Sequence, residues 1–353
     1  MKKLFLLTAV LALLGVGGMA QAATVYALNP LSGYTGINVT AINDSGAAVG
    51  YCTNSSGGAK SFIWTPGGGM VALNGTGQLY ARDINNAGQI VGDSSLGQSV
   101  YWSGSNGNAS VITLAGYNGG IANEINEAGQ VVGRAGYNMT LAGGTNATSN
   151  RKGYIWTSST NAIEFSPNAN GIVVQEFLAI NDSAGGGVAV GGQRAHYDTA
   201  TDTMTLLGTG TWGTGRAIND AGTTVGNDAT GAFYQTAANV ITSLGVLTGA
   251  TTPMAINELG QVVGDCGYGA AAFVWESGTI TDLNTVLGDS SWNLKYANDI
   301  NESGWIIGTG TFNGNTVGYV MAQSSPAVPE PMSIMLGIMG LGSIAGFRKL
   351  RRK

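Results

Sequence analysis

The chain has 353 residues, of which 58 are Gly and only 7 Pro; charged residues make up 10%, and the formal net charge is −5. Abundant Gly with so little Pro excludes a collagen-like chain and a proline-rich disordered one. Charge this sparse, against roughly 25% in ordinary soluble domains, leaves a surface wetted by Asn, Ser, Thr and Gly, and the length suits two average domains or one large all-β domain.

The N-terminus has a basic start (Lys2, Lys3), an apolar run from Leu4 to Leu14 and a small-residue stretch ending at Ala20, Gln21 and Ala22. That order predicts a secretory signal peptide over residues 1–22, cut between Ala22 and Ala23. A permanent anchor here would need about 20 apolar residues, more than the run supplies.

Beyond it one unit recurs seven times, as Ala41-Ile42-Asn43-Asp44-Ser45-Gly46, Asp83-Ile84-Asn85-Asn86-Ala87-Gly88 and, in the last copy, Asp299-Ile300-Asn301-Glu302-Ser303-Gly304. The Asn residues (43, 85, 126, 181, 219, 257, 301) are spaced by 42, 41, 55, 38, 38 and 44 positions, and an apolar pair or triplet ending in Gly follows each, as in Gln89-Ile90-Val91-Gly92. The pattern predicts a tight hairpin: Asn bonds a backbone group of the turn, Gly takes positive φ, and Ile and Val-Val supply the strands. The acids after Asn (Asp44, Glu127, Asp182, Asp220, Glu258, Glu302) then read as solvated turn residues, with a calcium site as the alternative.

Each unit continues into an aromatic strand, such as Ser61-Phe62-Ile63-Trp64 or Ala272-Phe273-Val274-Trp275, then a third strand such as Met70-Val71-Ala72-Leu73 and a fourth leading to the next Ile-Asn. Four short strands in roughly 40 residues is the pattern of a β-propeller blade, with a β-solenoid or sandwich as alternatives. The seventh unit stops after its second strand near Val317–Met321, while the start, Thr24-Val25-Tyr26-Ala27-Leu28-Asn29, is similar to Gly69-Met70-Val71-Ala72-Leu73-Asn74. The fold class predicted is therefore all-β, a seven-bladed β-propeller over residues 23–325, closed by its N-terminal strand so that no sheet edge is left open. The extra length of the third unit falls between Arg134 and Arg151 and reads as a long loop.

With those residues in view, the units resemble the HAF-type extracellular repeat family of bacterial secreted proteins. The Phe-to-Trp part of that motif stands at Phe62–Trp64 and Phe273–Trp275, whereas its leading His is absent. The resemblance implies an extracellular repeat protein and attaches no activity to the motif.

Between residues 23 and 328 there are eight basic and nineteen acidic residues, a net charge near −11, which repels phosphate backbones and argues against a nucleic-acid partner. The single histidine, His196, reads as a strand residue in an aromatic position; with two cysteines it makes a poor zinc set, and no cofactor is expected. Cys52 and Cys266 belong to the first and sixth units, which are not neighbours in a seven-membered ring, although six blades would make them so. Glu164, Glu176, Asp198, Asp202 and Asp282 lie outside the turn register and are the carboxylates a glycoside hydrolase or lyase would draw on, but their spacing places no two across a cleft. The in-register Trp64, Trp102, Trp156 and Trp275 read as packing between blades, and the off-register Trp212, Trp292 and Trp305 as candidate ligand contacts.

The chain ends with Val328-Pro329-Glu330-Pro331, an apolar stretch from Met332 to Phe347, and Arg348, Lys349, Arg351, Arg352 and Lys353. Such a stretch as a helix reaches about 24 Å, against roughly 30 Å of hydrocarbon, a marginal span with a basic cytoplasmic end. These three parts, over residues 326–353, resemble the PEP-CTERM sorting signal of Gram-negative bacteria. The resemblance implies recognition of Pro329, Glu330 and Pro331 by an exosortase, processing at the inner membrane during export, and an association with exopolysaccharide and biofilm matrix. The expectation is a surface or matrix protein with a structural, adhesive or binding role, matrix polysaccharide being the partner considered; the alternative is a secreted carbohydrate-active enzyme on the same scaffold.

Overall fold

In the computed structural model, the described residues are 24–114, 117, 119–136, 151–157, 162–164, 174–183, 187–207 and 213–322. The signal peptide, its cleavage site, the sorting tail and Trp212 lie outside them. The strands form seven four-stranded antiparallel sheets, each built in chain order except the last. In the first blade the order from the axis outward is Gly36–Ile42, Ala48–Thr53, Ala59–Thr65 and Gly69–Ala72.

The last blade takes its outermost strand from the other end of the chain. Thr24–Leu28 pairs antiparallel with Asn315–Ala322, Thr24 opposite Ala322 and Leu28 opposite Gly318. The expected closure is therefore the observed one, with seven blades.

Two recurring glycines explain the local geometry of the described units. The turn glycines Gly46, Gly88, Gly129, Gly222, Gly260 and Gly304 have φ between +73° and +79°, which a side chain resists. A second glycine, on the second strand, sits opposite a bulge in the innermost one, as between Val39 and Ala41. A Cβ at Gly50, Gly92, Gly133, Gly226, Gly264 or Gly308 would overlap an innermost-strand carbonyl oxygen. An aromatic side chain from the third strand covers the vacancy: Phe62 pairs with Gly50, Tyr154 with Gly133, Phe273 with Gly264 and Tyr319 with Gly308, and all four are fully buried.

The apolar core lies between blades. Val49, Ile63 and Leu73 of the first pack against Leu79, Ile90, Val100 and Trp102 of the second, and Ile307, Val320 and Leu28 of the last against Val39, Ala48 and Phe62 of the first. Trp102 is wholly buried and its Nε1 donates to the Asn74 carbonyl of the preceding blade at 2.6 Å. The in-register tryptophans thus pack between blades, as their periodicity implies; ring pairs Tyr26–Trp64, Tyr101–Trp156 and Tyr234–Trp275 have centroids 5.0–5.8 Å apart.

Among the described residues one helix occurs, Leu283–Leu287, capped by the Asp282 side chain and ended by Gly288 at φ +66°. None is long and apolar enough to cross a membrane.

Candidate functional site

The seven innermost strands surround an axial tunnel of about 560 Å³, and its wall is layered by the repeat. At the end formed by the Asn-containing turns, here the lower end, the seven asparagines close a ring. Each Asn Nδ2 donates to the main-chain carbonyl of the next Asn: 43 to 85, 85 to 126, 126 to 181, 181 to 219, 219 to 257, 257 to 301 and 301 back to 43, at 2.9–3.2 Å. Each Oδ1 accepts a main-chain N–H of its own turn, as Ala47 N–H onto Asn43 at 3.0 Å and Trp305 N–H onto Asn301 at 2.8 Å. A side chain must both donate and accept to do this, which an Asp or Ser cannot match in that geometry.

The next residue forms a second closed ring at the tunnel's lower rim. Main-chain N–H groups of residues 44, 86, 127, 182, 220, 258 and 302 each donate to the side-chain oxygen of the following member, at 2.5–3.0 Å, the last, Glu302, donating to Asp44. The turn acids are therefore blade-to-blade acceptors as well as solvated groups, a role hidden from the sequence because each partner lies a whole unit away. Six of the seven are carboxyls, and burial followed by mutual repulsion raises those of Glu127, Asp182 and Glu302 above their ordinary range. Among the described residues no group of His, Cys, Asp and Glu has an arrangement able to hold a metal ion.

One step up the wall, the residue before Ile is Ala at 41, 179, 217 and 255 but acidic at 83, 124 and 299. Asp83 accepts from Ile125 N–H, Glu124 from Ile180 N–H and Asp299 from Ile42 N–H, each across a blade seam, at 2.7–3.1 Å. Half-buried on the tunnel wall, they lose much of their hydration, and burial pushes Asp83 up to about 6, Asp299 to about 8 and Glu124 well above the carboxylate range; the accepted N–H bonds oppose the rise. Three acids in an otherwise Ala position is a deviation readable in the sequence, but only the residue after Asn attracts notice there.

Above them stand Thr40, Arg82, Asn123, Leu178, Arg216, Met254 and Asn298. Thr40, Asn123 and Asn298 bond the next blade's carbonyls at Ala81, Phe177 and Val39. Arg82 pairs with Asp93 at 2.5 Å, and Arg134, one strand out, with Glu176 at 3.4 Å. Arg216 has neutral neighbours: its Nε donates to Asn227 Oδ1 at 3.2 Å, and Nη1 lies 3.9 Å from Met254 Sδ. Burial pushes its guanidinium below the usual range, with Asp265 beyond ion-pair distance opposing the shift.

The carboxylates singled out by sequence do not come together. Asp282 caps the helix, Asp198 accepts turn N–H groups from Ala200 and Thr201, Asp202 accepts the Tyr197 hydroxyl, and Glu176 joins Arg134 and Asn123. Glu164 stands on an outermost strand opposite Tyr154. His196 is on a third strand, its Nδ1 3.2 Å from Thr205 Oγ1, and burial lowers its pKa. Cys52 and Cys266 are buried and free. Trp292 stacks on Phe312 with centroids 4.7 Å apart, and half-buried Trp305 packs over Gly46 and against the first blade.

The chain is a seven-bladed β-propeller with a layered polar tunnel. No protein-family model and no curated protein matches its sequence. Among solved structures it is similar to virginiamycin B lyase from Staphylococcus aureus (TM-score 0.57, 13% identity, 85% of this chain and 99% of that one). A streptogramin B lyase (0.56, 11%, 85% and 97%) and YCF48 from Cyanidioschyzon merolae (0.53, 10%, 85% and 99%) are also similar. At such identities the likeness shows the fold alone.

Proposed function

We propose that this chain is an exported surface or matrix protein with a structural or binding role, carried out by its signal peptide and sorted through its C-terminal tail. The observation that carries the non-catalytic part is the use made of the repeated polar residues: seven asparagines and the seven residues after them are joined blade to blade in two closed rings. Groups so committed hold a scaffold together. The reading of export rests on the tripartite N-terminus and on Pro329-Glu330-Pro331 with its apolar and basic continuation. Its partners are then the export machinery, an exosortase and the inner membrane during sorting, with matrix polysaccharide as the ligand.

Intact-mass analysis of the protein from cell surface and medium, in the native host and with Pro329, Glu330 and Pro331 changed to Ala, tests the sorting. Loss of the tail in the native protein and its retention in the variant is the expected result. A tail intact in both means a plain anchor and overturns it.

A second reading, a carbohydrate-active enzyme, draws on Glu124 and Asp299, two tunnel carboxyls held toward the protonated form that a general acid requires. Hydrolysis or elimination of a matrix polysaccharide, abolished in Glu124→Gln or Asp299→Asn, would establish that reading in place of the first.

A further inference from the structure

The eight lysines and arginines between residues 24 and 322 lie away from the acidic rim: Arg82 and Arg216 stand at mid-strand on the tunnel wall, and Lys60, Arg134, Arg151, Lys152, Arg194 and Lys295 toward the opposite end of the sheets or in the loops there. The tunnel wall therefore changes character along its axis, carboxyl-rich at the lower rim and bearing the two arginines further in.

Of the three arginines on or beside the upper wall, two have carboxylates at ion-pair distance and Arg216 has none among the described residues. Half-buried in a tunnel wall, an arginine keeps its charge, and a cation held there by an amide and a thioether is poorly compensated. Guanidinium geometry suits one planar partner above others, a carboxylate taken through two parallel N–H bonds. Two further groups on the same layer are incompletely used. Asn123 and Asn298 spend their Nδ2 atoms on the next blade, and among the described residues their Oδ1 atoms accept no bond.

We propose that the upper part of the tunnel binds a hydroxylated carboxylate, the chemistry of a uronic acid unit, with Arg216 fixing the carboxylate and the Asn123 and Asn298 carbonyl oxygens receiving hydroxyls. This rests on the binding role proposed above and names the ligand class for it. The whole tunnel, from the acidic rim to this layer, has about 560 Å³, within the roughly 300–1,000 Å³ of small-molecule sites. Below the ligand, burial shifts Glu124 and Asp299 toward the protonated form, which reduces the negative charge on the stretch of wall they share with Asp83.

Calorimetric titration of the full chain with glucuronate, an oligoglucuronate, glucose and a neutral oligoglucan tests it. The acids should bind and the neutral sugars should not; Arg216→Gln should weaken binding at least about tenfold, as loss of a hydrogen bond to a charged group does, and Arg216→Lys, which keeps the charge without the fork, should fall between. Circular dichroism melting shows whether each variant is folded, and the Lys variant carries the test if the Gln variant is not. Binding of free glucuronate makes the ligand a sugar acid; binding of the oligomer alone makes it a unit of an acidic chain. Equal affinity of wild type and Arg216→Gln, or no affinity for either acid, overturns the proposal. A neutral glucan bound in place of the acids overturns it too, while leaving the wider binding role standing.

Discussion

Asn301 in the last blade donates its side-chain amide to the main-chain carbonyl of Asn43 in the first, 3.0 Å away and 258 positions earlier in the chain. The same bond is made at all seven seams, so one residue type fastens both its own turn and the neighbouring blade. Replacing Asn301 by Asp keeps the acceptor for Trp305 N–H but deprives the Asn43 carbonyl of its donor. It also places a charge among buried groups. We expect a loss of about 2–3 kcal/mol, read as a lowered urea midpoint with an unchanged slope; Asp44→Asn, which keeps an acceptor for Glu302 N–H and gives up only the exposed bond from Asn86 Nδ2, should cost no more than about 1 kcal/mol.

Gly92 should tolerate no side chain. Its Cβ would overlap the Tyr80 carbonyl oxygen, and only a backbone shift relieves that. Gly92→Ala should therefore cost more than about 3 kcal/mol. Gly57→Ala, at φ +79° with open space around it, should cost only about 1 kcal/mol. Thermal unfolding of the two variants separates steric overlap from backbone strain.

Stability should decline from mildly acidic to mildly alkaline pH. Asp299 titrates near 8 in the folded protein against an ordinary value of 3.8, so between those values the folded state holds the proton that the unfolded state has released. The sign follows: stability is highest below about pH 4 as far as this group is concerned, falls as pH rises, and levels off above about 8. The slope from one group is at most about 1.4 kcal/mol per pH unit. Asp44 on the adjoining blade, and Asp83 and Glu124 further round the tunnel, act on it by repulsion, Asp83 adding a decline that ends near pH 6. Chemical denaturation from pH 4 to 9 should show a flatter profile for Asp299→Asn than for wild type.

Trp305→Ala should lower the melting temperature by several degrees and leave saccharide affinity unchanged. The indole lies over Gly46 and beside Pro66 of the first blade, so its loss opens a seam. A loss of affinity without a loss of stability would restore the ligand-contact role that its off-register position suggests.

Deleting residues 24–28 should leave a soluble ring prone to association. The strand covers the edge of Asn315–Ala322, whose backbone groups would then be unpaired. Size-exclusion chromatography should show concentration-dependent oligomers for the deletion and not for the full chain.

The seven units, their hairpins and the closing strand were legible because each leaves a mark in the linear sequence: a recurring Asn and Gly where the turn takes positive φ at Gly46, an aromatic strand around Phe62, and a strand at Thr24–Leu28 that repeats the pattern of Gly69–Ala72. The tunnel was not. Asn126 meets Asn181 only once the sheets are side by side, and nothing local to Asn126 distinguishes its turn bond from its seam bond. Arg216 shows why single residues escape notice: its lack of a carboxylate at ion-pair distance among the described residues depends on where Asp265 and Met254 fall on the next blade. Asp282 shows the converse, a carboxylate that looked uncommitted and caps a helix the repeat did not foretell.

Because Thr24–Leu28 pairs with Asn315–Ala322, the first strand to emerge must wait for the last. Whatever the rate at which single blades condense, closure is a contact between opposite ends of the sequence, slow on topological grounds. Until then the chain is an open arc that partner proteins can hold or proteases can reach, so the interval between the making of the first strand and the last is a clock on when this protein becomes durable.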